Sequence, residues 1–124
     1  MFDPNLILLY VDSPAASAAF YEKLIGHPPV ELSATFALFK LESGLKLGFW
    51  SKHTVEPRAA ATGGGGELAL TVANHAAVQA LYASWRLLGV SIEQELTEMD
   101  FGYTFVALDP DQHRLRVYAL NAER

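Results

Sequence analysis

At 124 residues, 51% of them hydrophobic and 19% charged, the chain has the size and composition of one ordinary globular domain. It has no cysteine, which excludes disulfides and thiolate metal centres, and its formal net charge of −5 argues against nucleic acid, since phosphate binding wants a basic face. No apolar run approaches the roughly 20 residues that span a bilayer, and Met1-Phe2-Asp3-Pro4-Asn5 lacks the basic region of a signal peptide, so a cytoplasmic protein with no membrane partner is expected.

Leu6 to Val11 is a short apolar run of strand length. Ser13-Pro14 then supplies a cap and a proline suited to the first helical turn. Ala15 to Leu24 reads as a helix with Ala16, Ala19, Phe20 and Leu24 on its apolar face, ended by Gly26 and Pro28-Pro29. Three strand candidates follow: Val30–Ser33, Phe36–Leu41 and Leu45–Trp50, the last two joined by the turn Glu42-Ser43-Gly44.

Residues 52–66 contain Pro57 and the run Gly63-Gly64-Gly65-Gly66. A phosphate cradle would need Gly-Lys-Ser/Thr and a helix next; a strand follows instead, so a flexible linker is expected.

The first pattern then returns 61 residues later, because Val11 matches Val72 and Phe20-Tyr21 matches Leu81-Tyr82. Glu67 to Val72 is the strand, Asn74 the cap, and Ala76 to Leu88 the helix, with Val78, Leu81, Tyr82, Trp85 and Leu88 apolar and Gly89 the stop. Ser91–Glu95, Tyr103–Leu108 and Arg114–Ala119 complete the second set of strands, with a turn at Asp109-Pro110-Asp111-Gln112. The fold class is α+β: two βαβββ units, residues 1–51 and 67–124, around the linker.

Leu9-Tyr10-Val11-Asp12-Ser13-Pro14 running into Ala18-Ala19-Phe20-Tyr21, then Asp100-Phe101-Gly102-Tyr103-Thr104-Phe105, then Asp109-Pro110-Asp111-Gln112-His113, carry a resemblance. In this order and spacing they resemble the glyoxalase/bleomycin-resistance/dioxygenase (vicinal oxygen chelate) superfamily over essentially the whole chain. Gln112 departs from the glycine usual in the last motif, which bears on the turn type. Trp50-Ser51 and the Phe-Gly-x-Thr-Phe stretch resemble the small metal-free drug-binding members, such as the phenazine-antibiotic resistance protein. The resemblance implies curved mixed sheets enclosing a cavity, with the helices outside.

It also implies metal ligands on the first and last strand of each unit. Matching Leu6 with Glu67, and Lys46 in Leu45-Lys46-Leu47 with Arg116 in Leu115-Arg116-Val117, gives the set Leu6, Lys46, Glu67 and Arg116. Leucine has no donor atom and two members are cations, so no metal and no cofactor are expected. None of His27, His53, His75 and His113 lies at close ligand spacing to another. Glu67 is instead expected to pair with Arg116 or Lys46.

Strand alternation puts Leu6, Leu8, Tyr10, Lys46, Gly48, Trp50, Glu67, Ala69, Thr71, Arg114, Arg116 and Tyr118 on the cavity side. Leu45, Leu47, Phe49, Leu68, Leu70, Val72, Leu115 and Val117 go under the helices. Trp50 is the leading ligand-stacking candidate, Phe101 and Tyr103 form an opposite jaw, and the face occupied by Phe36 and Phe39 stays open. Tyr10, Tyr118, Lys46, Glu67 and Arg116 complete the expected wall, and Trp85 reads as core.

Two readings follow. The first is a non-catalytic binding protein, drawn as a homodimer, for a planar aromatic or amphipathic small molecule; the resemblance implies antibiotic sequestration. The second is a glyoxalase- or dioxygenase-like enzyme, metal-dependent or using Glu67 as a base. It ranks below the first because neighbouring cations would make Glu67 a poor base and no nucleophile motif is present.

Overall fold

Both helices start where a side chain meets an unpaired amide. Ser13 Oγ accepts from the Ala16 N–H at 3.2 Å, and Asn74 Oδ1 accepts from that of Ala77 at 2.9 Å. Gly26, at φ 93°, ends the first helix in the left-handed conformation and donates its N–H to the Glu22 carbonyl.

The computed structural model describes residues 1–121. They form two compact units, Met1–Thr62 and the part beginning at Gly63. The first contains β1 (Leu6–Val11), α1 (Pro14–Ile25), β2 (Glu31–Leu32), β3 (Phe36–Lys40) and β4 (Lys46–Ser51). The second contains β5 (Glu67–Thr71), α2 (His75–Leu87), β6 (Ser91–Met99), β7 (Gly102–Leu108) and β8 (Arg114–Leu120). Each makes a mixed four-stranded sheet, ordered β1-β4-β3-β2 and β5-β8-β7-β6. In each sheet the first strand runs parallel to the last and the other pairings are antiparallel. This is the expected doubled βαβββ pattern. No helix among the described residues is long and apolar enough to cross a membrane.

Each helix covers one face of its own sheet. In the first unit Tyr21 stacks on Phe49 at 4.6 Å, and Phe49 meets Phe39 edge-on at 6.0 Å. In the second, Phe105 receives the edges of Tyr82 and Trp85, both at 5.4 Å. Trp85 is therefore core, as expected. Such edge-to-face pairs contribute about 0.5–1.5 kcal/mol each beyond their burial.

Several local expectations are corrected. The buried face of α1 is Pro14, Ser17, Ala18 and Tyr21 rather than Ala16, Ala19, Phe20 and Leu24, because Tyr21 is the side chain that reaches Phe49. β2 is shorter than Val30–Ser33: Ser33 turns the chain, its Oγ accepting from the amides of Thr35 and Phe36. β6 runs on to Met99, four residues past Glu95. Leu70 stays 48% exposed instead of packing beneath α2, which rests on β6, β7 and β8. Both ends of the linker are tied into the fold. The Lys52 N–H donates to the Val11 carbonyl at 2.7 Å, Val55 is buried, and the Gly63 N–H donates to the Asp111 carbonyl at 3.3 Å. Gln112 adopts the left-handed backbone (φ 70°) that the family's glycine would supply, so the turn is preserved without the glycine.

Candidate functional site

β8 brings Arg116 and Tyr118 to the sheet face turned away from α2, with Ala69 and Thr71 beside them on β5 and Val106 and Thr104 on β7. Glu67 lies one diagonal step along β5 and meets Arg116 twice: Nε donates to Oε1 at 2.8 Å and Nη2 to Oε2 at 2.9 Å. Nη1 donates to Gln94 Oε1 at 3.1 Å and to Thr104 Oγ1 at 3.2 Å. Thr104, fully buried, donates its own hydroxyl hydrogen bond to the Val117 carbonyl at 2.8 Å. The fork geometry of guanidinium is thus used on both sides, which lysine could not do.

The aromatic side of this site comes from the β6–β7 hairpin. Phe101 sets its ring 5.9 Å from the Arg116 guanidinium carbon and meets Tyr118 edge-on at 5.8 Å. The Asn121 amide holds the Phe101 carbonyl at 3.0 Å, and the Asn121 side chain holds that of Asp100. Glu67, Met99, Phe101, Arg116, Tyr118 and Leu120 line a hollow of about 480 Å³.

Of the residues expected at the site, Glu67, Phe101, Arg116 and Tyr118 come together here. Tyr10, Lys46 and Trp50 share the corresponding face of the first unit's sheet. The other two lie elsewhere. Phe39 is completely buried on the α1 side, since it pairs with Leu47 and packs on Phe49. Tyr103 pairs with Ala119 on the α2 side and stacks on His75 at 4.5 Å, so it is not a jaw opposite Phe101. Gln94, Met99, Thr104 and Leu120 were not anticipated; the β7/β8 alternation alone could have placed Thr104 beside Tyr118. A larger hollow, about 1000 Å³, lies in the loop of residues 52–62. His53 Nε2 sits there 2.7 Å from Asp12 Oδ1, and both side chains are mostly exposed.

The repeat must also be realigned. Leu6 pairs with Lys46 just as Glu67 pairs with Arg114, and the left-handed turn residues Gly44 and Gln112 share that 68-residue offset. The counterpart of Lys46 is therefore Arg114, and that of Arg116 is Gly48, not Lys46. At the four implied ligand positions, the first unit offers Leu6 and Gly48, neither with a donor side chain. The second offers Arg116 and a Glu67 whose two oxygens are both engaged. No group of three or more His, Cys, Asp or Glu side chains among the described residues could hold a metal ion. This donor set does not fit a divalent cation.

Electrostatics agree with the pairing. The hydrogen bonds from Arg116 hold the Glu67 carboxyl below its ordinary value of 4.5, against a smaller opposing effect of burial, and the same bonds raise Arg116. A depressed carboxylate pKa stabilises the fold above the unfolded-state value, and that contribution is lost as pH falls through the folded-state value. Glu67→Gln should therefore flatten the acid limb of the stability–pH curve below about pH 4.5 while lowering stability at pH 7. Denaturant titrations at several pH values would show it. Parallel curves for the two proteins would contradict the assignment.

The profile of the Glyoxalase/Bleomycin resistance protein/Dioxygenase superfamily matches residues 4–117. The solution NMR structure of protein ATC0852 from Agrobacterium tumefaciens is 56% identical, with a TM-score of 0.90 over 98% of this chain and 100% of that one. A glyoxalase-related enzyme from Fulvimarina pelagi shares the fold at 21% identity and a TM-score of 0.83, over 96% of this chain and 88% of that one. Lactoylglutathione lyase from Agrobacterium tumefaciens does so at 21% and 0.74, over 92% of this chain and 90% of that one. No curated protein matches the chain. The doubled βαβββ architecture and a profile match reaching from the start of β1 to the middle of β8 lead to one conclusion: the chain belongs to the glyoxalase/bleomycin resistance protein/dioxygenase superfamily.

Proposed function

We propose that the chain is a metal-free, cytoplasmic binding protein for a planar aromatic or amphipathic small molecule, working as a homodimer in the manner of the superfamily's drug-sequestering members. The ligand rests against Phe101 and Tyr118 beside the Arg116 guanidinium. The observation that carries this reading is the two-pronged ion pair: Arg116 stands at an implied ligand position and occupies both oxygens of Glu67. It leaves an aromatic, half-polar hollow in place of a Lewis-acid centre. Acid–base catalysis through Glu67 is the weaker reading, because a carboxylate held below its ordinary pKa is a poor base at neutral pH.

Metal analysis of the purified protein, with a thermal-shift series of phenazine, quinoxaline and related flat compounds, tests the reading. The expected result is no stoichiometric divalent metal, and a ligand-dependent rise in Tm that disappears in Phe101→Ala. Tightly held metal at one equivalent per chain, or chemical turnover of the compound, would overturn it.

A further inference from the structure

Met99 is the last residue of β6, directly opposite Gly102 on β7, and it lines the hollow beside Arg116. It shares a face with Gln94 only because the strand is irregular. Five residues apart, the two would point to opposite sides of an even strand. The register shift between Gln94 and Thr97 brings both to the side of Val106, Thr104 and Gly102, and the Thr97 hydroxyl pins the shift by donating to the Glu95 carbonyl at 2.6 Å.

The irregularity sets an amide against a thioether. Gln94 Nε2 donates to Met99 Sδ at 3.5 Å, while Gln94 Oε1 accepts from Arg116 Nη1 at 3.1 Å. One chain of hydrogen bonds therefore runs from Met99 through Gln94 and Arg116 to Glu67. Leu120 lines the same hollow, so bulk alone does not require sulfur there. Met99 is 42% exposed, which leaves its side chain open to small oxidants.

We infer that Met99 is a modification site: a hydroperoxide converts it to the sulfoxide, and the change alters the hollow it lines. A sulfur lone pair attacks the terminal peroxide oxygen, and an S–O bond forms as the O–O bond breaks. The departing oxygen takes the proton of the transferred one and leaves as water, or as an alcohol from an organic hydroperoxide. Sulfur is oxidised by two electrons and the peroxide is reduced by two. The sulfoxide oxygen is a strong acceptor in place of a weak one. Gln94 Nε2 already lies against the sulfur and bonds the new oxygen, which also competes with Gln94 Oε1 for Arg116 Nη1. A polar group then stands where a flat apolar body would rest, and it must be desolvated before that body can seat. Oxidation thus weakens binding of the planar ligand, and reduction restores it. That consequence rests on the ligand reading proposed above; the modification itself does not.

The test follows the intact, isotope-labelled chain before and after hydrogen peroxide. Peptide mass spectrometry should find added oxygen on Met99 as well as on Met1, the other methionine of the sequence and a fully exposed one. The Gln94 side-chain amide and Arg116 Nε–H resonances should move on oxidation. They should return after treatment with the two methionine sulfoxide reductases, one for each epimer. Phenazine should bind the oxidised chain about tenfold more weakly. Met99→Leu should bind it equally before and after peroxide. Oxygen on Met1 with none on Met99 would overturn the proposal. So would an oxidised Met99 with unmoved Gln94 and Arg116 resonances, undiminished phenazine affinity of the oxidised chain, or a peroxide effect that persists in Met99→Leu. The resonances need no ligand and are read on the unaltered sequence. Failure of phenazine to bind either form therefore counts against the ligand reading, and the resonances still decide the modification.

Discussion

Gly102→Ala should be among the most damaging single-atom-scale changes in the protein, costing at least about 4 kcal/mol, at the far end of point-mutation effects. Gly102 opens β7 opposite Leu120 with φ 154°, and a Cβ there would lie 1.9 Å from the Ala119 carbonyl oxygen and 2.9 Å from its carbon. Both obstacles are backbone, so no side-chain rotation relieves the overlap; β7 would have to move off β8. That displacement would also carry away the adjacent Phe101, whose ring lies against Tyr118 and Arg116. Gly65→Ala is the control, since nothing lies within 4 Å of a Cβ at that position. Urea titrations of the two variants should separate sharply, with Gly65→Ala within about 0.5 kcal/mol of the parent. A Gly102→Ala protein as stable as the parent would mean the hairpin is not built this way.

The second large effect is at Arg116. Breaking a fully buried ion pair by removing one partner costs about 3–5 kcal/mol. Here the Arg116 and Glu67 side chains are 18% and 29% exposed, so water replaces part of what is lost. Arg116→Ala should cost about 2–3 kcal/mol, since it strips both oxygens of Glu67 and removes donors from Gln94 and Thr104. Adding Glu67→Ala on top should cost less than it does alone, because the carboxylate has already lost its partner. A double-mutant cycle by denaturant unfolding at pH 7 measures the coupling. Strict additivity would show that the pair is ornamental to stability.

The repeated strand–helix–strand order was legible because its punctuation is local: Ser13, Asn74, Gly26 and Gly89 each act on neighbouring amides. The inward and outward faces of β1, β4, β5 and β8 followed from alternation in the same way. What failed depended on partners distant in sequence. β6 looked finished at Glu95 because its register shifts between Ile92 and Gln94, and again between Gln94 and Thr97, which breaks the two-residue rhythm. Tyr82 read as a plain apolar helix position, yet its hydroxyl donates to Glu95 and accepts from Arg86, a contact made only once β6 lies beside α2. Tyr103 and Phe101 looked like one jaw, but Gly102 sits between them where the hairpin enters β7, and the two rings go to opposite faces. The Arg116 network needed Gln94 from β6 and Thr104 from β7, and no spacing rule links either to residue 116.

The strand order has a consequence for how this polypeptide matures. Because β1 waits for β4, and β5 for β8, neither opening strand has its parallel neighbour until the closing strand has been synthesised. During translation the leading half can finish its sheet once Ser51 has cleared the ribosome. The trailing half stays incomplete until Leu120 emerges, so a message truncated shortly before Arg114 would yield one finished half joined to a fragment with an unmet edge. Such a nascent product is prone to self-association and is a natural substrate for chaperones.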